Sequence, residues 1–263
     1  MSPDAPSPRA RLAGRRIVVT RPAGQNERLA EMIRAEGGEP VVFPVLEIVD
    51  LEDTRALVAA VDRLHEYRLA VFISPNAVDK AMNVVAARRA WPPGLRAATI
   101  GRASEKALAR YGVADVIAPH GRFDSEALLA LPALADVAGW RVVIFRGDGG
   151  RELLGDTLAA RGANVDYVEC YRRARPNADV EPLLKRWGRG EIDAVTVSSS
   201  EGLRNLFDML GKLGQAWLKR TPLFAPHARI AENARSLGCE RVLETGPADE
   251  GLCAGLIAFW ENR

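Results

Sequence analysis

The residues predict an α/β fold of two similar parallel-sheet domains that arose by internal duplication, and two observations carry that prediction. Short apolar runs alternate along the chain with stretches of helical period, the rhythm of parallel strands covered by helices on both faces. The pattern then repeats itself at an offset of roughly 124 residues, with four segments keeping nearly that spacing.

The elements follow in order. The start of the chain is Pro, Ser, Ala and Arg with no apolar stretch of a signal peptide, so residues 1–14 are expected to be a flexible tail. Ile17-Val18-Val19-Thr20 reads as a strand, residues 26–36 as a helix stopped by Gly37-Gly38, and Pro40-Val41-Val42-Phe43 as the next strand. Further strands are expected at residues 69–73, 98–100, 113–118, 140–145 and 194–197, with helical segments between them. In the repeat, residues 16–21 match 141–146, and 70–77 match 194–201. Thr99-Ile100-Gly101 matches Leu223-Phe224-Ala225, and Asp124-Ser125-Glu126 opens one helix as Asp249-Glu250-Gly251 opens another.

A repeat need not be cut where the sequence restarts. If the strands at 43–49 and 167–172 cross from one domain to the other, residues 48–170 form a continuous domain. Residues 15–43 plus 177–263 then form a discontinuous one, with 44–47 and 171–176 as connectors. The sequence leaves that crossing open.

Composition excludes several classes. Of 263 residues 48% are hydrophobic, enough for two cores, and a formal charge of +2 argues against a nucleic-acid partner. No apolar run approaches the roughly 18 residues of a membrane span. Cys170, Cys239 and Cys253 lie far apart without metal-ligand spacing, and are read as reduced, buried thiols of a cytoplasmic protein with no metal site.

In open α/β sheets ligands bind beyond the carboxyl ends of the strands, where loops run into helix N-termini. These loops hold Arg21 and Gln25, Ser74 and Asn76, Gly101 and Ser104, Arg146 and Gly147, Ser199 and Ser200, and Pro226 with His227. Their Gly, Ser and Asn suit anion binding by backbone N–H groups, although residues such as Ser74, Asn76, Ser199 and Ser200 are more often plain helix caps than ligand contacts. Arg21 and Arg146 fall at equivalent repeat positions just after a strand. The glycines of Arg146-Gly147-Asp148-Gly149-Gly150-Arg151 match neither a P-loop nor GxGxxG. His65 and His120 read as surface and turn residues, His227 as a helix start near a cleft. No serine-hydrolase, zinc-protease or paired-carboxylate motif is present, so any chemistry asks little of side chains.

Six segments in order resemble the uroporphyrinogen-III synthase family: Ile17-Val18-Val19-Thr20-Arg21-Pro22, Phe72-Ile73-Ser74-Pro75-Asn76-Ala77-Val78, Thr99-Ile100-Gly101 followed by Ser104, the run from Phe145-Arg146-Gly147 to Leu154, Tyr171-Arg172-Arg173, and Ser198-Ser199-Ser200. The resemblance covers nearly the whole chain beyond the tail. It implies two α/β domains joined by a two-stranded connector with a cleft between them. It also implies a cofactor-free, monomeric, cytoplasmic enzyme that closes hydroxymethylbilane, a linear tetrapyrrole with carboxylate arms, taken over from hydroxymethylbilane synthase. Tyr171 corresponds to the family's tyrosine proposed to assist loss of the substrate hydroxyl, Ser104 to a hydroxyl of one domain, and Ser199 and Ser200 to a polar pair of the other. Where many members carry Gly-Pro-Thr, this chain has Ala225-Pro226-His227. The rival reading from another class is a hinge-type binding protein for a small anion. A nucleotide-sugar transferase lacks its phosphate signature here, and no DNA-binding segment follows Arg263 to mark a regulatory fusion.

Overall fold

Three or four consecutive buried aliphatics are what a parallel strand covered on both faces requires, and the central strands have them. Ile17, Val18 and Val19 in β1 (Arg16–Val19) and every residue of β4 (Leu69–Phe72) are fully buried. The computed structural model describes residues 10–261. It divides into two units, one taking the chain up to Glu47 and again from Ala174, the other Ile48–Arg173.

In the discontinuous unit, β1 is flanked by β2 (Glu39–Val42) and β8 (Ala194–Thr196). Next come β9 (Leu223–Ala225) and β10 (Val242–Glu244), giving the parallel order β10-β9-β8-β1-β2. Helices α1 (Glu27–Ala35) and α10 (Ala248–Glu261) bury Leu29, Ile33, Leu252 and Leu256 on one face. On the other, α7 (Glu181–Gly188), α8 (Ser200–Arg220) and α9 (Ala228–Ser236) bury Leu183, Trp187, Leu203, Leu206 and Ile230.

The continuous unit repeats the plan. Its sheet runs β3-β7-β6-β4-β5, with β3 at Glu47–Val49, β5 at Arg96–Thr99, β6 at Arg141–Gly147 and β7 at Asn164–Ala174. Helices α2 (Arg55–Asp62), α3 (Pro75–Arg88) and α4 (Arg102–Arg110) pack on the face of Ala70 and Phe72; α5 (Ser125–Leu129) and α6 (Leu153–Ala160) pack on the face of Leu69 and Val71.

The duplication is written in the pairing register. Ile17 faces Pro40 and Ala194; Val142 faces Val165 and Leu69, each position displaced by 125. Each unit therefore joins the first two strands of one repeat to the later strands of the other.

Three local expectations are revised. The expected tail gives way by residue 10: Leu12 is fully buried with α1 and α10, and its N–H donates to Glu36 O at 2.8 Å, while residues 1–9 lie outside the described chain. The strand expected at 113–118 is a single bridge, Ile117 to Ala98, because Asp115 takes a left-handed φ of 54° that an extended strand excludes. Its repeat counterpart, β10, was not anticipated at all.

Candidate functional site

At the end of β4 the chain turns into α3 through Ser74, whose extended backbone and Oγ cap the helix by accepting from Ala77 N at 3.1 Å, with Pro75 at the first helical position. The same Oγ lies 3.0 Å from the hydroxyl of Tyr171, which β7 delivers from 97 residues away. The Tyr171 ring is 5% exposed and rests against Gly147 at the end of β6; a Cβ there would lie 2.7 Å from the ring. A strand irregularity places Tyr171 opposite Gly147, where Arg146 pairs with Glu169. The extra residue, Cys170, brings Tyr171 onto the same buried face as Val168 and Cys170. Sequence reading named Ser74, Gly147 and Tyr171 separately; the fold brings them into one contact.

Arg146, next along β6, stacks its guanidinium 4.2 Å from the centroid of the Tyr167 ring. Tyr167 is itself pinned: its hydroxyl donates to Glu152 O at 2.9 Å and accepts from Gly155 N at 3.1 Å. Burial raises its pKa. Nε and Nη1 of Arg146 are buried without a hydrogen-bond partner among the described residues. Gly101 caps α4 with extended backbone. Ser104, expected on the loop, sits inside α4 at 3% exposure, because that helix starts earlier than the glycine-serine spacing indicated. Asn76 lies half-buried in the first turn of α3.

The other unit repeats the cap. Ser199 Oγ accepts from Gly202 N at 2.9 Å as Ser74 does from Ala77 N, and the Ser200 hydroxyl is buried with no partner among the described residues. Pro226 is buried, while His227 is exposed as the N-cap of α9 without a side-chain capping bond. Gln25 is exposed before α1. Arg21 is differently placed from its repeat partner: Nη2 lies 2.7 Å from Asp249 Oδ1, and the carboxylate is 11% exposed. Burial pushes that carboxyl up and Arg21 draws it back. Asp249 and Tyr167 had not been singled out; Asp249 stood in the repeat match only as a helix opener.

Cys170, Cys239 and Cys253 are buried free thiols, and burial pushes Cys170 up to about 12 and Cys239 to about 11. Among the described residues no three His, Cys, Asp or Glu side chains are grouped to hold a metal ion, and no helix is long and apolar enough to cross a membrane.

Known proteins match this arrangement. The family model for uroporphyrinogen-III synthase HemD matches residues 27–254. The uroporphyrinogen-III synthase of Salmonella typhimurium is 36% identical over 235 residues, covering 89% of this chain and 96% of the relative. That of Escherichia coli is 35% identical over the same coverage. Among solved structures, a mutant uroporphyrinogen III synthase from Thermus thermophilus aligns with a TM-score of 0.61 at 22% identity, over 94% of this chain and 98% of its own. The Helicobacter pylori enzyme aligns at 0.56 and 13% identity over 93% of this chain and 99% of its own, so these two likenesses speak for the fold.

Proposed function

The chain belongs to the uroporphyrinogen-III synthase family, and from that premise we propose that it closes hydroxymethylbilane to uroporphyrinogen III, losing water and inverting ring D, with Tyr171 as the proton donor to the departing hydroxyl. The observation that supports this role is the Tyr171 hydroxyl held 3.0 Å from Ser74 Oγ at the carboxyl edge of the sheet, with its ring against Gly147.

The chemistry asks little more. The lone pair of a substrate pyrrole nitrogen expels the hydroxymethyl oxygen, which leaves as water once it takes a proton. The resulting electrophilic azafulvene is attacked by the substituted carbon of ring D to give a spiro intermediate. The older bond from that spiro carbon to the methylene shared with ring C then breaks, leaving a second azafulvene on ring C; the free α-carbon of ring D attacks it, and loss of a ring proton restores the pyrrole. A phenol, protonated at neutral pH by its ordinary acidity, can supply the first proton. Ser74, bonded to the amide of Ala77, fixes the direction of that phenol. Holding the two ends of the bilane together contributes far more, up to about 7–11 kcal/mol, than the acid does. The carboxylate arms fit the capped helix starts at Ser74 and Ser199, where first-turn N–H groups have no intrahelical acceptor, and the Ser200 hydroxyl. Ring closure in water gives the uninverted isomer, so we place the enzyme in the cytoplasm as a monomer that receives its substrate directly from the synthase that makes it.

The test is incubation of the purified protein with freshly generated hydroxymethylbilane, followed by oxidation and separation of the isomers. Type III product is expected. Type I alone, at the spontaneous rate, would sink the reading in favour of an anion-binding protein. Tyr171→Phe is expected to lower kcat by about 10²-fold, the low end for a general acid, with KM little changed. Full activity in that variant removes Tyr171 from the mechanism.

A further inference from the structure

We propose that Arg146, and not its repeat partner Arg21, binds a carboxylate of the substrate. The proposal deepens the reading above and rests on it. Both arginines follow the first strand of a repeat, displaced by 125, yet the fold treats them differently. Arg21 has a counter-charge within its own unit, Asp249, a carboxylate 11% exposed at 2.7 Å from Nη2, although its Nε, like that of Arg146, is buried without an acceptor among the described residues; the difference between the two arginines is the ion pair. The same displacement carries Asp249 to Asp124, and there the charge is already used. Asp124 caps α5 by accepting from Ala127 N at 2.8 Å and pairs with Arg122. Arg146 is left without the carboxylate its position has in the other repeat.

What surrounds Arg146 instead is a mount. The guanidinium lies on the face of Tyr167, whose hydroxyl is tied to both Glu152 O and Gly155 N. Gly155 keeps that approach open, since a Cβ there would fall 2.1 Å from the Tyr167 hydroxyl. A cation stacked on an aromatic ring keeps its in-plane N–H groups free to donate. Yet Nε and Nη1 are buried and reach no acceptor among the described residues. A guanidinium held this way, one residue before the Gly147 that seats Tyr171, lacks an anion, and the edge formed by Nη1 and Nη2 is the one that a planar carboxylate can meet with two parallel N–H bonds. The acetate and propionate arms of the bilane are such anions. Arg21, its charge already matched by Asp249, is a structural pair that holds the loop after β1 to the start of α10.

The experiment measures isomer-resolved steady-state kinetics with hydroxymethylbilane, together with thermal melts, for the wild type, Arg146→Gln, Arg146→Lys and Arg21→Gln. For Arg146→Gln, KM is expected to rise about 10- to 100-fold, as for loss of a hydrogen bond to a charged group, with melting unchanged or slightly higher. Arg146→Lys should fall between, since an ammonium keeps the charge but not the paired geometry. Arg21→Gln should melt lower, because Asp249 is left buried without its cation, with KM within about twofold of wild type. An unchanged KM in a folded Arg146→Gln or Arg146→Lys enzyme that still gives type III product overturns the proposal and leaves the functional reading standing. Equal rises in KM for the two arginines overturn it too. A wild type that yields only the type I isomer removes the functional reading and this inference with it.

Discussion

Replacing Gly147 by valine is expected to lower kcat/KM by about 10²-fold while the chain still folds, because the new side chain takes the space in which the Tyr171 ring lies. A Cβ alone at this position would stand 2.7 Å from two ring carbons and 3.1 Å from the hydroxyl, and valine adds two methyls beyond it. The backbone at Gly147 lies in β6, with no left-handed φ, so the conflict is one of volume and not of backbone conformation. The ring must give way, since Gly147 is locked in the strand ladder with Arg146 and Phe145 behind it. As it moves, the hydroxyl leaves Ser74 and its aim at the leaving group is lost. A phenol moved off its mark is a general acid lost, so the effect approaches that of Tyr171→Phe. A double-mutant cycle separates this cause from general damage. In a Tyr171→Ala background the space is vacant, and Gly147→Val should cost only a few-fold more. An undiminished effect there would mean that Gly147 acts through its own loop and not through the tyrosine.

That contact also marks the boundary of what the sequence could reveal. Strands such as Ile17-Val18-Val19 and Leu69-Ala70-Val71-Phe72 announce themselves because burial on both faces leaves no polar positions, and the repeat survives because each unit must solve the same packing problem. The carboxyl-edge loops followed from the strands, and with them Ser74 and Ser199 as helix caps. Contacts between distant segments did not follow. Ser74 and Tyr171 lie 97 residues apart, and only the β6–β7 irregularity turns the tyrosine toward the serine. The two arginines looked identical in the repeat because the difference between them lies in the carboxylates at 124 and 249, each of which also starts a helix. Leu12 was hidden in a stretch whose composition is that of a tail; one leucine among alanine, arginine and glycine gives no period. Asp115 ended a strand through a backbone conformation that its residue type permits without requiring.

Phe145→Ala should be the most destabilising of these changes, by about 3–5 kcal/mol, and should unfold one unit before the other. Phe145 is fully buried in β6, stacked on Phe72 of β4 with ring centroids 5.1 Å apart, and Phe72 in turn meets Trp91. Truncation removes the whole ring from a sheet face also packed by Leu57, Val61, Ala77 and Ala81, and two central strands cannot close the gap without breaking the ladder between them. The loss stays local. Among the described residues the two buried clusters of Ile48–Arg173 share no member with the two clusters of the other unit. Each unit thus has buried clusters of its own on both faces of its sheet and is expected to melt separately. Calorimetry of the variant is expected to show two transitions, the earlier one abolishing cyclisation because Ser74, Arg146 and Tyr171 all belong to the weakened unit. Trp187 and Trp217 belong to the other unit and Trp91 and Trp140 to the weakened one, so single-tryptophan variants can assign each transition. A single transition at the wild-type temperature would show that the Phe72–Phe145 stack is not what holds β4 against β6; a single but lowered transition would show that the two units unfold as one.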